Sequence, residues 1–254
     1  MNETEKEDKL IIANIIKKAE KTYNQDILTY SNFLDPRLLK LCKIELKKRN
    51  LPFSILAPTE ETEKVLLIFL PTYLKIENID ISEYISCIRI YIKKEQKLQH
   101  KDYMGAIYNS GVKQSSIGDI IVCEDGAIIM CTHQIAEYFK YNLTKVGNID
   151  IRVEIEKITN CTFPKREYID LNIIASSTRI DSIVSEISKI SRSKACEKIL
   201  SGEVFLNYEK VKSKSIEISS EDILSIKGIG KFKISSNISQ NKKGNTVLNI
   251  KKYN

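Results

Sequence analysis

Hydroxyl and cationic side chains stand together at the predicted start of a helix in the last third of the chain. The stretch Ser191–Asn207 reads SRSKACEKILSGEVFLN. Ser191 can cap this helix, and Arg192, Ser193 and Lys194 fill its first turn. Backbone N–H groups at a helix N-terminus favour a bound phosphate, and a hydroxyl and cations beside them add to this preference. The spacing therefore predicts a phosphate-binding site.

The residues that could support catalysis or hold a metal are scattered. Cys131 and His133 lie two residues apart, but no second pair of ligands follows them. The six Cys form no C-x-x-C pair, so we expect reduced thiols and neither a metal nor a cofactor. His100 and His133 are the two His, and neither has a neighbouring Ser or Cys in an arrangement typical of a catalytic triad.

Two glycine-containing loops could also approach a phosphate. GIGKF (Gly228–Phe232) lacks the spacing of a P-loop, so it is either an RNA contact through Lys231 or an ordinary β-turn. GVKQSSIGDI (Gly111–Ile120) is a polar loop suited to a backbone phosphate, or a plain turn between a helix and a strand. Lys113 and Gln114 are its predicted exposed contacts, a possible second RNA site.

The positive charge is confined to the end of the chain. The 254 residues carry a net charge of +7, with 40 Lys and Arg against 33 Asp and Glu. Ser176–Asn254 contains 15 of the basic and 8 of the acidic residues, so the remainder is neutral. Such asymmetry indicates either a polyanion-binding domain or a Lys-rich solvated surface. The chain has no long apolar run and a polar, acidic start, which favours a cytoplasmic protein that does not bind membranes.

The elements that must position these residues predict an α+β protein. Two N-terminal helices are expected, the second capped by Asp35 before Pro36. The middle of the chain alternates strands and helices: strands at Val65–Leu70 and Cys87–Lys94, a helix, a hairpin turning at Asp125-Gly126, a helix over 133–147 and a last strand. This order predicts a ferredoxin-like or RNA-recognition-like layer.

The last third is predicted to place two antiparallel helices on a small sheet. A connector (159–178) precedes them, Gly202 ends the second helix, and strands follow in EVFLN and DILSIKG. We expect an N-terminal helical domain (1–57), a middle α+β domain (58–175) and a basic C-terminal domain (176–254). The predicted RNA contacts of the last domain are Arg179, Ser191, Arg192, Ser193, Lys194, Lys198, Asn207, Lys210, Lys212 and Lys231.

Spaced motifs in this third resemble the RNA-binding domain named after small-subunit ribosomal protein S-four. They are R-I-D at Arg179, S-R-S-K-A at Ser191, G-E-V-F-L-N at Gly202 and D-I-L at Asp222. The resemblance covers about 55 residues and implies a small alpha-L domain that grips structured RNA. It departs at Tyr208, where the family has Gly, and at the Gly-Asp position, which is Glu221-Asp222.

The rest of the chain is similar to the YlmH family of bacterial RNA-binding proteins. NFLDPR (Asn32–Arg37), HKDYMGAIYNSGVKQSSIGDIIV (His100–Val122) and the domain order carry this resemblance. It implies a monomeric partner of large-subunit ribosomal RNA, with tRNA as a further partner. It also implies a role in ribosome quality control, where a nascent chain joined to tRNA obstructs the subunit. Ribosome biogenesis and cell division remain alternatives.

An RNA-modifying enzyme is the alternative from a different class. Arg179–Asp181 looks like the R-L-D motif in which some pseudouridine synthases place their Asp. Yet Asp181 opens a helix, where the dipole favours a carboxylate, and the large catalytic domain is missing. A protein-interaction scaffold that uses the middle domain is a third possibility. We expect RNA binding without catalysis.

Overall fold

The computed structural model describes residues 3–93, 95–164, 168–241 and 244–253, and divides into two compact units, Met1–Pro164 and Lys165–Asn254. The first unit consists, in chain order, of α1 (Glu3–Gln25), β1 (Thr29–Tyr30), α2 (Pro36–Lys48), β2 (Ser54–Leu56), β3 (Leu66–Phe69), β4 (Ser86–Tyr91), α3 (His100–Asn109), β5 (Ile117–Cys123), β6 (Gly126–Cys131), α4 (His133–Asn142), β7 (Lys145–Val146), β8 (Ile149–Asp150) and β9 (Arg152–Lys157). The second consists of β10 (Tyr168–Ala175), α5 (Ile180–Ser188), α6 (Arg192–Leu200), β11 (Val204–Leu206), β12 (Glu209–Lys210), β13 (Ile223–Ile226), β14 (Gly230–Gln240) and β15 (Thr246–Tyr253).

The N-terminal part of the first unit packs two helices against a three-stranded sheet of order β1-β3-β2. The Asp35 carboxylate accepts a hydrogen bond from the Leu38 N–H at 2.8 Å, and Pro36 occupies the first helical position of α2. The predicted cap is therefore confirmed. Apolar residues of α1 and α2 form one core with β3, which includes Ile15, Leu46 and Leu67.

The middle of the first unit has the ferredoxin-like topology that the sequence predicted. Its β-α-β-β-α-β elements form an antiparallel sheet of order β5-β6-β4-β9. The β5–β6 hairpin turns at Glu124-Asp125, one residue before the predicted Asp125-Gly126, because Gly126 already pairs with Cys123 as the first residue of β6. Gly126 adopts a φ of 148°. A Cβ at Gly126 would lie 1.8 Å from the Ile90 carbonyl oxygen, so only glycine fits this position. The helices and sheets together confirm the α+β class.

Both faces of this four-stranded sheet are covered. Ile88, Ile90 and Ile129 pack with Phe139 of α4 and with α3 on one face. On the other face, a second cluster joins the sheet to the N-terminal part of the chain, and it contains Phe33, Leu66, Ile68, Cys87, Ile128 and Met130. An RNA-recognition fold leaves one sheet face open for bases, and this unit does not.

The second unit is built on a six-stranded sheet of order β10-β15-β14-β13-β11-β12. Helices α5 and α6 pack on one face, where Ile183, Ala195, Phe232 and Ile250 belong to a single core. The sheet is larger than the small sheet we expected. Residues 168–175 form β10, which pairs with β15, although the sequence suggested only a connector. Because β10 and β15 lie at opposite ends of the unit's sequence, no local sequence pattern predicts that they pair.

The predicted helix over 133–147 ends five residues early. Leu143 is extended (φ −90°, ψ 90°), and Lys145–Val146 pairs with Ile149–Asp150 in a hairpin around Gly147. Lys94, at the end of a predicted strand, and residues 165–167 of the predicted connector lie outside the described residues. The three-domain division and the S-four-like assignment stay predictions. Within the described ranges, every helix is too short or too polar to span a membrane.

Candidate nucleic-acid interface

The N-terminus of α6 presents the hydroxyl and cationic groups that the sequence placed there. The Ser191 Oγ accepts a hydrogen bond from the Lys194 N–H at 3.3 Å, which confirms Ser191 as the helix cap. Ser191, Arg192, Ser193 and Lys194 are all exposed. Together with Arg179, they are called the α6 basic face below. Ala195 points the other way into the core, so the helix is fixed to the unit while its start stays open to solvent.

Two arginines of this face converge on a buried carboxylate. The Arg179 Nε and Nη2 donate to the two Asp181 carboxylate oxygens at 3.2 and 3.1 Å. The Arg192 Nε and Nη2 donate to the same oxygens at 3.0 and 3.1 Å. The Ser182 N–H adds a further bond at 3.0 Å. The Asp181 side chain is 4% exposed, while those of Arg179 and Arg192 are 38% and 49% exposed.

This cluster fixes the ionisation of Asp181 and leaves a net positive charge. Burial by itself raises the pKa of Asp181, but hydrogen bonds from Arg179 and Arg192 outweigh it and lower the pKa to about 2. The carboxylate therefore stays charged at neutral pH and holds both guanidinium groups in place. In the sequence, the place of Asp181 in the first turn of a helix accounts for its charge without these partners. The spacing of Arg179, Asp181 and Arg192 is the sequence signal for this ion-pair cluster. It can be interpreted only when α5 and α6 are known to pack together.

The far end of α6 carries predicted contacts that already have protein partners. The Lys198 ammonium forms an ion pair with Glu203 at 2.5 Å. The Lys210 side chain lies over Gly202, where an added Cβ would be 2.9 Å from the Lys210 Cδ. Lys212 is exposed between β12 and β13. Because Lys198 is paired, this end offers a phosphate less charge than the start of the helix does.

Asn207 and Lys231 lie apart from the α6 basic face. The Asn207 Nδ2 donates to Asp222 at 2.7 Å, and its Oδ1 accepts the Ile223 N–H at 2.9 Å. Asn207 therefore ties the β11–β12 turn to β13. Lys231 precedes the buried Phe232 in β14, so strand alternation puts it on the sheet face opposite α5 and α6.

The Lys231 ammonium lies among aromatic rings on that opposite face. It is 4.7 Å from the ring centre of Tyr208 and 4.8 Å from that of Tyr253. It also donates to the Tyr208 hydroxyl at 3.1 Å. Tyr208, at the position where the S-four-like family has Gly, adopts a φ of 67°. The GIGKF loop is thus the turn between β13 and β14, and its lysine contacts tyrosine rings.

The second predicted site lies in the first unit, in a loop with structural partners. Lys113 and Gln114 are exposed at the start of a short 3-10 helix. The next residue, Ser115, accepts a hydrogen bond from the Asn32 side chain at 3.2 Å and one from the Phe33 N–H at 2.9 Å. The two family motifs that resemble YlmH proteins therefore meet in space. Ser115 explains part of the loop structurally, while Lys113 and Gln114 remain candidate contacts.

The candidate catalytic and metal residues form no reactive constellation in the part of the chain that the structure describes. Cys131 is buried under the helices, and burial raises the pKa of its thiol to about 12. His133 begins α4, and its Nδ1 hydrogen-bonds to the Ser86 hydroxyl. Ser86 is itself buried, so this pair fastens β4 to α4. The described residues contain no group of three or more His, Cys, Asp or Glu that could hold a metal.

Comparison with known proteins gives matches to YlmH proteins. Residues 82–160 match a family described as "Putative RNA-binding domain in YlmH". The "Ribosome-associated protein quality control protein P2" of Bacillus subtilis (strain 168) is 23% identical over 226 residues, which are 89% of this chain and 88% of that protein. "Cell division protein ylmH from Streptococcus pneumoniae", a solved structure, is 26% identical with a TM-score of 0.49 and covers 60% of this chain and 93% of its own. These matches confirm the resemblance to the YlmH family that the sequence motifs indicated.

Proposed function

We propose that this protein is a ribosome-associated RNA-binding factor that grips structured RNA of the large subunit with the α6 basic face. The observation that carries the proposal is the exposed helix start at Ser191, flanked by Lys194 and by two arginines anchored on one carboxylate. The name of the Bacillus subtilis relative supports the ribosomal link, and the description of the matching family supports RNA as the ligand.

The charge of the α6 basic face suits a phosphate backbone. Arg179 and Arg192 share the single negative charge of Asp181, so the three groups keep one net positive charge, to which Lys194 adds another. Because the arginines are held by hydrogen bonds, binding RNA orders less side-chain freedom than it would with unrestrained arginines. Recognition would then depend on shape and phosphates, as is usual for structured RNA.

The enzyme alternative is weaker for a geometric reason. A pseudouridine synthase needs its Asp to reach the substrate, whereas the Asp181 carboxylate is 4% exposed and both of its oxygens accept hydrogen bonds from arginines. Asp181 serves as an anchor for cations in this structure. We therefore assign it a positioning role.

The finer biological role follows from the family resemblance. We infer that the protein acts in the cytoplasm as a monomer, in quality control of large subunits that carry a stalled nascent chain on tRNA. Crosslinking the bound RNA in cells and sequencing it tests this role. Reads from both large-subunit RNA and tRNA would support quality control, and an absence of tRNA reads would favour a role in biogenesis or division.

The RNA site is tested by removing one unpaired charge from the α6 basic face. Lys194→Ala should weaken co-sedimentation with purified large subunits and lower the slope of log affinity against log salt by about one. Lys47→Ala, which removes an exposed lysine at the end of α2, is the matched control for net charge. Equal salt slopes for the two variants would exclude the α6 basic face as the site.

A further inference from the structure

The part of the first unit whose family is described as RNA-binding lacks an open sheet face. Its β5-β6-β4-β9 sheet is covered by α3 and α4 on one side and by the N-terminal core on the other. At the uncovered end of the sheet, the Arg152 guanidinium lies 4.4 Å from the ring centre of Tyr91. Arg152 also forms an ion pair with Glu154. Arg89, on the same ring, pairs with Asp125. Both cations have carboxylate partners, so a phosphate would have to compete with a carboxylate for either of them.

A groove between α3 and α4 offers another surface. Its volume is about 540 Å³, within the range of roughly 300–1,000 Å³ for small-ligand sites. Three of its lining residues, Lys101, Gly105 and Asn109, are four positions apart and so share one side of α3. Tyr138 and Asn142, also four apart, line it from α4. This i, i+4 spacing is the signal of the groove in the sequence, and it consists mainly of uncharged residues.

The groove is open because of a glycine inside a helix. Gly105 lies in the middle of α3, where glycine is less favourable than any residue except proline. A Cβ built on Gly105 meets no atom within 4 Å, so the space above it is empty. The Tyr138 hydroxyl donates to the Ser110 carbonyl oxygen at 3.3 Å, which links α4 to the end of α3. An aromatic residue thus lines an open space that a larger residue at position 105 would fill.

The polar groups of the groove suit an unpaired nucleotide. Lys101 is exposed, and the neighbouring Asp102 carboxylate is occupied by the Gln99 N–H at 2.8 Å, as part of the helix cap. Lys145 is 3.4 Å from Asp150, but both side chains are more than half exposed, so a phosphate can compete for this lysine.

The groove also has groups that can recognise a base. The Asn142 Nδ2 donates a hydrogen bond to the Tyr138 carbonyl oxygen at 2.8 Å. The Asn142 Oδ1 can accept a hydrogen bond from a base edge. Exposed Asn109, on the opposite helix, adds a second amide. Aromatic rings stack on unpaired bases, amides bond their edges, and lysines pair with phosphates.

We propose that the α3–α4 groove binds an unpaired nucleotide of RNA, as a contact separate from the α6 basic face. The site would accept a base from a loop, a bulge or a single strand, because a base inside a duplex is not available for stacking. This proposal goes beyond the function proposed above, since it assigns a second RNA class to a surface of the first unit. A peptide is the competing occupant.

Filling the groove tests the proposal. Gly105→Leu should lower the affinity of the full-length protein for a fluorescein-labelled single-stranded uridine 12-mer by about tenfold, in the range expected for losing one stacked base. Its affinity for a blunt-ended RNA duplex without loops or bulges should change less than twofold, because no base in that duplex is available for stacking. Tyr108→Leu, an exposed change on α3 outside the groove, is the control. Equal 12-mer affinities for the two variants would overturn the proposal and leave a peptide as the better occupant.

A second measurement keeps the test independent of folding effects. A 12-mer that carries 4-thiouridine should, after irradiation, crosslink in the wild-type protein to the tryptic peptides that contain Tyr138 or Asn142. Crosslinks confined to residues 165–254 would exclude the groove. Lys194→Ala should leave the groove crosslinks in place while it weakens subunit binding, so that failure of either site is distinguishable from failure of the other.

Discussion

Replacing Asp181 with Asn removes the charge that anchors Arg179 and Arg192 while it preserves the size of the side chain. The arginines lower the pKa of Asp181 from its ordinary 3.8 to about 2. At about 1.4 kcal/mol per unit, this shift corresponds to roughly 2 kcal/mol of stability at neutral pH. The half-exposed arginines can be rehydrated when the carboxylate is lost, so we expect Asp181→Asn to destabilise the second unit by about 2 kcal/mol and not by the larger cost of a fully buried broken pair.

The stability difference between wild type and Asp181→Asn should depend on pH in a defined direction. Because the pKa of Asp181 is lower in the folded protein, its stabilising effect is complete above about pH 5 and is lost as the pH falls through about 2. Urea denaturation of wild type and Asp181→Asn should therefore show a difference in unfolding free energy that is constant from pH 7 to about 5 and shrinks below pH 4. The other carboxylates are common to both proteins and cancel. A difference that is unchanged at pH 2.5 would refute the role of the ion pairs.

Measurements of RNA binding distinguish a positioning role of Asp181 from the effect of its charge alone. Asp181→Asn makes the protein more positive, so electrostatic attraction alone predicts tighter binding. If Asp181 holds Arg179 and Arg192 in register for phosphates, the variant should bind large subunits several-fold more weakly at a temperature where it is fully folded. Asp170→Asn, which removes an exposed carboxylate from β10 of the same unit, is the matched control. Tighter binding by both variants would show that Asp181 contributes only its charge.

Two further predictions concern the first unit. Gly126→Ala should destabilise it by about 3 kcal/mol, because its Cβ would overlap a strand carbonyl, whereas Gly111→Ala, at a φ of 74° in open space, should cost about 1 kcal/mol; similar urea midpoints for the two variants would contradict the hairpin geometry. Burial raises the pKa of Cys42 to about 11 and that of Cys131 to about 12, so both thiols should resist iodoacetamide at pH 8 until urea is added, as peptide mass mapping can check. Rapid labelling of either thiol in the native protein would show that its site is open.

Features fixed by neighbours in the chain were predictable from the sequence, and features fixed by distant strands were not. The Asp35 cap depends on a few adjacent residues and appears as predicted, and the β5–β6 hairpin forms as predicted with its turn one residue earlier. Ser191 likewise caps α6 as expected. The face of Lys231, by contrast, depends on which strands flank β14 and on their register, which composition does not encode. A lysine can therefore be recognised as basic from sequence, but not assigned to a surface.

The same limit applied to the anchor of the α6 basic face. Asp181 and Arg192 are on different helices, so their contact depends on how α5 packs against α6. The sequence motifs contain both residues, with Asp181 as a helix-start carboxylate and Arg192 as a phosphate contact, and do not show that the two residues touch. In the structure they are in contact, and the shared carboxylate explains how arginines from the starts of two different helices, α5 and α6, are held close together.

The pairing of β10 with β15 joins the first and the last strand of the second unit. Tyr168 lies opposite Tyr253, so the first strand of the unit gains its partner only after the last one has been synthesised. Helices α5 and α6 can form earlier from local contacts, yet their core includes Leu248 and Ile250 of β15. A chain still emerging from a ribosome would thus have its basic helices on an incomplete sheet, which lacks β15 and leaves β10 without its partner. The protein can acquire a rigid RNA-binding surface only after its own synthesis has passed this point.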